Sequence, residues 1–461
     1  MTENYDAIVI GTGQAGPPIA HRCAKEGLRT LVVERGRVGG TCVNAGCTPT
    51  KALVASARAA HMARRASDFG VEVSGIEVDF RSVLRRARRI AGDSNAAVIK
   101  GLERAEPITF LRGHARFVAG GEIEVLGERY AAPKIFINVG GRARVQMDIA
   151  DGLPVLTNSS VLELESLPDH LIVVGGSYIG LEFAQIFRRL GSKVTVLQRG
   201  PRLIPRDDPD VSDAVRSLLE EEGIAVQLER DCIELVPHPD GVEARSTCPD
   251  ADEGVAVVGS HALLATGRVP NTADLGLDDG GLRSDKRGFL VTDEFLETSS
   301  SGVFALGDCN GRGGFTHTAY NDYEIVAGNL FDGQKRSVTE RITCYGLFVD
   351  PPLGRVGMTE AEARGTGRPV LMGQLPMKRV GRARERSETS GFMKVLVDAE
   401  SRKILGAAIL GIRGDEAVQT LLTAMAAQMT ADEFVRTVWI HPTVSELIPS
   451  ALQALKPLGP Q

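Results

Sequence analysis

No run of apolar residues approaches the ~18 that a membrane-spanning helix needs, so the chain is not read as a membrane protein. Positive charge is in deficit as well. There are 53 Lys and Arg against 59 Asp and Glu, a formal net charge of -6, and no basic field exists to hold nucleic acid or anionic lipid. The opening Met1-Thr-Glu-Asn-Tyr-Asp carries acids where a targeting segment needs Lys or Arg. The seven cysteines are an odd number, scattered apart from one pair. A long acidic chain of this kind does not read as a disulfide-stapled secreted scaffold. The expectation is a cytoplasmic protein in which any disulfide is catalytic rather than structural. Hydrophobic residues at 43% and charged residues at 24% exclude a disordered tail or a fibre. At ~150 residues per domain, 461 residues make two large domains or three ordinary ones. What the chain has in excess is glycine, 52 of 461, as expected where backbone must approach a ligand in several tight turns.

Tyr5–Ile10 is a short apolar run of the kind that forms a buried parallel strand. It leads into Gly11-Thr-Gly13-Gln-Ala-Gly16, then a helical stretch to about Glu26 and a second strand, Thr30–Glu34. Gly11 permits the tight turn, Gly13 lets backbone approach a pyrophosphate, and Gly16 lets helix and strand pack closely. The phosphate then sits at a helix N-terminus, and Glu34 is placed to accept from ribose hydroxyls. Strand, turn, helix, strand and acid together point to an adenine dinucleotide.

Residues 45–67 and 80–104 read as two helices, and Ile135–Val139 as a strand ending at Gly140-Gly141. The pattern then restarts with a strand at Leu171–Val174, the turn Gly175-Gly-Ser177-Tyr-Ile-Gly180, a helix at Leu181–Leu190 and a strand at Lys193–Leu197. Ser177 replaces the usual middle glycine. Where an NAD site wants an acid, this unit has Gln198, followed by Arg199 and Arg202, which suit a 2′-phosphate. NADPH is therefore expected, with NADH the alternative if both arginines are merely solvated. Ala262–Gly267 and Gly302–Asp308 are further glycine-ended strands. Past residue 336 the fingerprints stop and mixed strand and helix patterns follow. The charged segment Arg379–Gly391 reads as a loop and the tail Leu455–Gln461 as frayed.

The chemical centre is Gly39-Gly-Thr41-Cys42-Val-Asn-Ala-Gly-Cys47-Thr-Pro-Thr-Lys51. Cys42 and Cys47 stand at the start of a helical stretch, where the N-terminus raises the thiolate fraction. A loop this short gives up little chain entropy when closed, so a bridge there is a better redox couple than a brace. The other readings are two buried free cysteines or half of a metal site, and no second Cys/His pair at zinc spacing follows. Lys51, one helical turn past Cys47, is placed to stabilise negative charge.

These segments, in this order, resemble the flavoprotein disulfide reductases, the class I family of dihydrolipoamide dehydrogenase, glutathione reductase and mercuric reductase. The resemblance covers essentially the whole chain. It implies an α/β fold with two Rossmann-like dinucleotide-binding domains and a C-terminal α+β dimerisation domain. The expected boundaries are 1–150 and 271–335 for the FAD-binding parts, 151–270 for NAD(P)H and 336–461 for dimerisation. The first fingerprint would hold FAD, together with Thr41, Lys51, Gly140, Asp308 in a second FAD motif, and Ala115 in Gly113-His-Ala115-Arg-Phe117. The second fingerprint, with Gly267, would hold the nicotinamide nucleotide. Glu182 matches the family's acid that pairs with the flavin-side lysine, here Lys51.

The family's disulfide would join Cys42, the interchange thiol that meets substrate, to Cys47, the sulfur nearer the flavin. Trp439-Ile-His441-Pro-Thr-Val-Ser-Glu446 is similar to the family's His-Pro…Glu box. It implies a homodimer in which His441 is the acid/base at the partner's disulfide and Glu446 orients it. The implied activity is transfer of electrons from NAD(P)H through FAD to Cys42–Cys47 and on to a small disulfide. Reduction of a quinone or soft metal ion, or service as a dihydrolipoamide dehydrogenase subunit of a larger complex, are the alternatives. Cys47-Thr-Pro-Thr-Lys51 and Phe315-Thr-His317 resemble the mercuric-reductase-like branch. The last cysteine is Cys344, though, so the C-terminal vicinal pair of mercuric reductases has no counterpart. His317 reads equally as a group facing the flavin edge or as a hydrogen-bonded core histidine.

Overall fold

Ala7–Ile10, four apolar residues that are all buried, form the middle strand of a five-stranded parallel sheet. A strand apolar on both faces needs cover on both sides: helices pack on the face of Ala7 and Val9, and the antiparallel strands Ala115–Val118 and Glu122–Val125 pack on the face of Ile8 and Ile10. Across this sheet the order is Val303–Ala305, Lys134–Ile137, Ala7–Ile10, Thr30–Glu34 and Ile108–Arg112. The computed structural model describes residues 1–145, 149–246 and 256–459. Helix Gly16–Lys25 starts directly after the glycine turn, with Pro17 in its first turn, where the missing N–H has no partner to lose. Helix Thr316–Phe331 packs beside it.

The second unit repeats the plan. Its parallel sheet runs Val155–Leu156, His261–Leu264, His170–Val174, Lys193–Leu197 and Ala225–Gln227. Helix Tyr178–Leu190 follows its glycine turn and is almost wholly buried. It is covered on the far side by the helical pair Cys47–Arg64 and Phe80–Arg104. The third unit is a six-stranded sheet, ordered Cys344–Leu347, Leu353–Gly357, Ile404–Leu410, Phe392–Asp398, Val370–Pro376 and Lys456–Pro457, with helix Gly414–Ala426 packed on it. All its pairings are antiparallel.

A buried charge cluster ties the second unit to the third. Lys394 Nζ lies 2.9 Å from Asp208, 2.6 Å from Asp210 and 2.6 Å from Glu360, while Arg355 donates to Asp208 at 2.8 Å. The three carboxylates converge closely enough to hold a metal ion, but the ammonium of Lys394 fills that position. Burying one charge without the others would be far more costly than burying the network.

Four expectations are corrected. The helix expected over 45–67 is two helices, Gly40–Ala45 and Cys47–Arg64, broken at Gly46, where an added Cβ would lie 2.9 Å from the Thr41 carbonyl oxygen. The charged segment is not all loop, since Gly381–Glu385 is a short helix. The tail is not frayed through its described part, because Lys456–Pro457 pairs with Leu371–Met372; residues 460–461 lie outside the described residues. Cys232, at the edge of the hairpin Ile233–Ser246, is disulfide-bonded, so the expectation that any disulfide is catalytic does not hold for it.

Candidate active site

The break at Gly46 places both thiols. Cys42 lies inside the short helix and Cys47 is the first residue of the eighteen-residue helix, whose unpaired N–H groups and dipole favour negative charge there. Both are free thiols in this structure, with no bond between them. The Cys42 thiol donates to the Cys47 sulfur, and Thr316 Oγ1 lies 3.3 Å from it. These hydrogen bonds and the nearby Lys51 charge lower Cys47 to about 6, against desolvation, which acts in the opposite sense. The same bond, reinforced by burial, pushes Cys42 well above the ordinary thiol range. The pair is thus split into a thiolate at 47 and a thiol at 42.

Lys51 Nζ donates to Glu182 Oε2 at 2.7 Å and lies 4.3 Å over the Phe348 ring. The Glu182 side chain is only 7% exposed, and its second oxygen accepts from Phe348 N at 3.0 Å. One carboxylate therefore joins all three units, from the redox helix through the helix of the second sheet to the C-terminal domain.

Cys42, Cys47 and Lys51 line a cavity of about 1030 Å³ that continues to Gly11, Gly13, Glu34, Ala115, Gly140 and Asp308. Its far wall is a backbone cradle. Gly11 has φ of +97°, and an added Cβ would sit 2.4 Å from Asn138 O, while one at Gly16 would sit 2.2 Å from Gly11 O. Asn138, buried at the end of its strand, accepts from Gly16 N at 3.0 Å and donates to Leu306 O at 2.8 Å. Glu34 accepts from Thr12 N at 2.9 Å and Gly36 N at 2.7 Å and still borders the cavity. Thr41 Oγ1 reaches the Gly141 carbonyl at 3.5 Å. Arg268 Nη2 lies 3.4 Å from Asp308, whose carboxyl is nonetheless raised by burial.

Residues 5–322 match the model of the pyridine nucleotide-disulphide oxidoreductases, and residues 344–452 match the dimerisation domain of the same family. The chain belongs to the pyridine nucleotide-disulfide oxidoreductases. It is 34% identical over 460 residues to dihydrolipoyl dehydrogenase of Thermus scotoductus, covering 98% of each chain. It is 33% identical over 461 residues to the probable pyridine nucleotide-disulfide oxidoreductase RclA of Escherichia coli (98% of this chain, 99% of that one). It is 32% identical over 466 residues to mercuric reductase of Streptomyces lividans (97% and 96%). Among solved structures, the HOCl-induced flavoprotein disulfide reductase RclA of E. coli superposes with a TM-score of 0.86 at 31% identity, covering 97% of this chain and 99% of that one. The protein is an oxidoreductase of the flavoprotein disulfide class, uses FAD and a pyridine nucleotide, and carries the family's dimerisation domain. No helix among the described residues is long and apolar enough to cross a membrane. The cradle at Gly11–Gly16 suits the group this oxidoreductase needs, because only backbone without side chains leaves room and free N–H groups for a diphosphate.

Other expected site residues of this oxidoreductase lie apart from the cavity. Gly175 repeats the geometry of Gly11, with φ of +119° and an added Cβ 2.4 Å from Ala265 O; at Gly180 it would be 2.1 Å from Gly175 O. Ser177 is extended and makes no cap with its side chain. Gln198 accepts from Gly176 N at 2.9 Å and donates to Arg202 O at 3.1 Å, and the Arg199 and Arg202 side chains are exposed. Gly267 has φ of +117° in the crossing segment and does not line the cavity, whereas its neighbour Arg268 does. His441 and Glu446 are also elsewhere. The imidazole is 80% exposed, and its Nδ1 faces Glu446 Oε2 at 2.9 Å. Flanking it, Val438 and Ile440 are 94% and 80% exposed. His317 Nε2 donates to Cys344 O at 2.7 Å, while the ring stacks on Phe315 and borders the cavity.

Sequence reasoning missed Asn138, Arg268, Thr316 and Phe348. Asn138 left a signal, a polar residue closing an otherwise apolar strand. The other three come from distant segments and are placed only by folding.

Proposed function

We propose that the protein reduces a small disulfide at Cys42–Cys47 with NADPH as electron donor. The observation that carries this reading is that the split thiol pair and the glycine cradle open into one cavity, with Lys51 and Glu182 between them. FAD held by Gly11, Gly13, Gly16, Glu34, Thr41, Ala115, Gly140 and Asp308 supplies the two-electron relay between pyridine nucleotide and sulfur. The chain's residues do the rest. Cys47, as a thiolate against the cavity, is the sulfur that receives electrons, and Cys42, which holds the proton of the resting pair, attacks the substrate disulfide as a thiolate once that proton has passed to the acid/base. Lys51 balances the negative charge, and Glu182 holds Lys51 in place. Residues 1–150 and 271–335 would form the FAD part, which agrees with Val303–Ala305 adding to the first sheet. Residues 151–270 would form the NAD(P)H part and 336–461 the dimer part.

Gly175, Ser177, Gly180 and Gly267 would hold the pyridine nucleotide, with Arg199 and Arg202 receiving a 2′-phosphate. Their exposure and the use of Gln198 in bracing the turn support that preference. His441 with Glu446 would serve the partner subunit's disulfide as acid/base. Supporting this are the outward imidazole, its separation from its own chain's cavity and the apolar residues on either side. A second reading, reduction of a soft metal ion, is favoured by one observation: a solved neighbour at 31% identity is a Cu(II) complex of RclA. Replacing Cys42 by Ser separates the two. Disulfide reduction should fall to background while the protein still takes electrons from NADPH, and a Cys42→Ser enzyme that reduces disulfides at the parent rate would overturn the proposal.

A further inference from the structure

We propose that Arg382 is a positioning residue for His441, acting through a single peptide unit. The inference rests on the acid/base role given to His441 above. Arg382 stands on the short helix Gly381–Glu385, inside the charged segment that the sequence alone reads as a loop. Its guanidinium is half-exposed but fully engaged. Nη2 and Nε both donate to the carbonyl oxygen of Pro442, at 2.7 and 3.2 Å, and Nη1 pairs with Glu385 at 3.0 Å.

The other end of the same peptide unit is also held. Thr443 N donates to Glu446 Oε1 at 3.3 Å, and Glu446 takes His441 Nδ1 at 2.9 Å through its other oxygen. Thr443 Oγ1 bonds back to Ile440 O at 2.8 Å and receives Glu446 N at 3.3 Å, closing the turn on itself. The peptide plane that joins the Pro442 carbonyl to the Thr443 amide therefore has a cation on its oxygen and a carboxylate on its hydrogen. A charge-assisted bond to a carbonyl polarises the unit and strengthens the donor at its far end. Arg382 thus fixes the oxygen, the oxygen fixes the plane, and the plane aims the carboxylate that orients the imidazole. The imidazole has few constraints of its own, since its side chain is 80% exposed. A histidine that must meet a sulfur on another subunit gains most from such second-hand support, because small misplacements at a proton-transfer site are costly in rate.

The test uses the FAD-loaded protein and measures two activities. In Arg382→Ala, steady-state disulfide reduction should fall by about tenfold to a hundredfold, while the rate at which NADPH bleaches the yellow cofactor under anaerobic conditions stays at the parent value. Guanidinium ion added at millimolar concentration should restore part of the lost disulfide reduction. Arg382→Lys should recover less than added guanidinium, because an ammonium is a point charge and cannot reproduce the fork. A loss that neither guanidinium nor Lys repairs, or no loss at all, overturns the role of Arg382. His441→Ala is measured alongside: if it leaves disulfide reduction intact, the reading of His441 fails, whereas an inactive His441→Ala beside a fully active Arg382→Ala defeats only the present inference.

Discussion

The division of labour between the two thiols can be read directly from a titration. With Cys47 lowered to about 6, roughly 90% of it is thiolate at pH 7, against a few per cent for an ordinary cysteine near 8.5. Alkylation rate at neutral pH is nevertheless a poor assay. Nucleophilicity falls with basicity, with a Brønsted slope of about 0.4–0.5, so a thiol two to three units more acidic gives back roughly tenfold of the gain. The midpoint of the pH profile is the informative quantity. In the reduced enzyme, the rate of Cys47 modification by iodoacetamide, followed by peptide mass, should rise with a midpoint near pH 6.

Cys42→Ala removes the donor that contributes most to the shift and should move the midpoint up by about one unit or more, each unit being a factor of ten in thiolate. Lys51→Met should move it less, since the lysine acts by charge at a distance and ranks below both hydrogen bonds. A wild-type midpoint above about pH 8, close to that of an ordinary thiol, or one unchanged in Cys42→Ala, would refute the assignment of the thiolate to position 47. The sign for stability follows. The folded chain holds Cys47 deprotonated between pH 6 and the unfolded value near 9, so this group's contribution is full above that upper value and is lost as pH falls through 6.

Other outcomes are equally open to measurement. Gly16→Ala puts a Cβ 2.2 Å from Gly11 O and should give a folded but colourless protein, measured as FAD per chain; full FAD content would remove the cradle from the argument. Arg199→Glu with Arg202→Glu should raise the KM for NADPH by about tenfold to a hundredfold, at about 1.4 kcal/mol per decade, and leave that for NADH nearly unchanged; equal effects on both would end the 2′-phosphate reading. Mixing Cys42→Ser with His441→Ala subunits, each inactive alone, should restore about a quarter of the disulfide reductase activity, since half of randomly paired dimers carry one intact site. No recovery after verified subunit exchange would place the histidine on its own chain's disulfide.

Local signals determined a large part of this protein. Glycine at 11, 13 and 16 after four apolar residues, and glycine at 175 and 180 after another such run, specified two turns of one geometry. In each, a side chain at the first glycine would strike the carbonyl of the neighbouring strand. The spacing of Cys42, Cys47 and Lys51 marked the reactive segment because a helix start and one helical turn are short-range properties. The His441–Glu446 contact was legible for the same reason, as five residues along one tight turn.

Tertiary structure decided what range in the sequence could not. Glu182 meets Lys51 across 131 positions and Phe348 across 166, and Asn138 ties Gly16 to Leu306. The Glu182 pairs depend on two sheets and a domain interface closing to within a hydrogen-bond length, and the Asn138 pairs on distant strands coming into register in one sheet, which no periodicity encodes. The break at Gly46 also needed the fold, because it is the Thr41 carbonyl folding back against Gly46 that excludes a side chain there. Even the charged segment around Arg382 reads as solvated when taken alone. Only the return of the chain through Pro442 engages one of its arginines, since a charge takes its meaning from the partner that folding delivers.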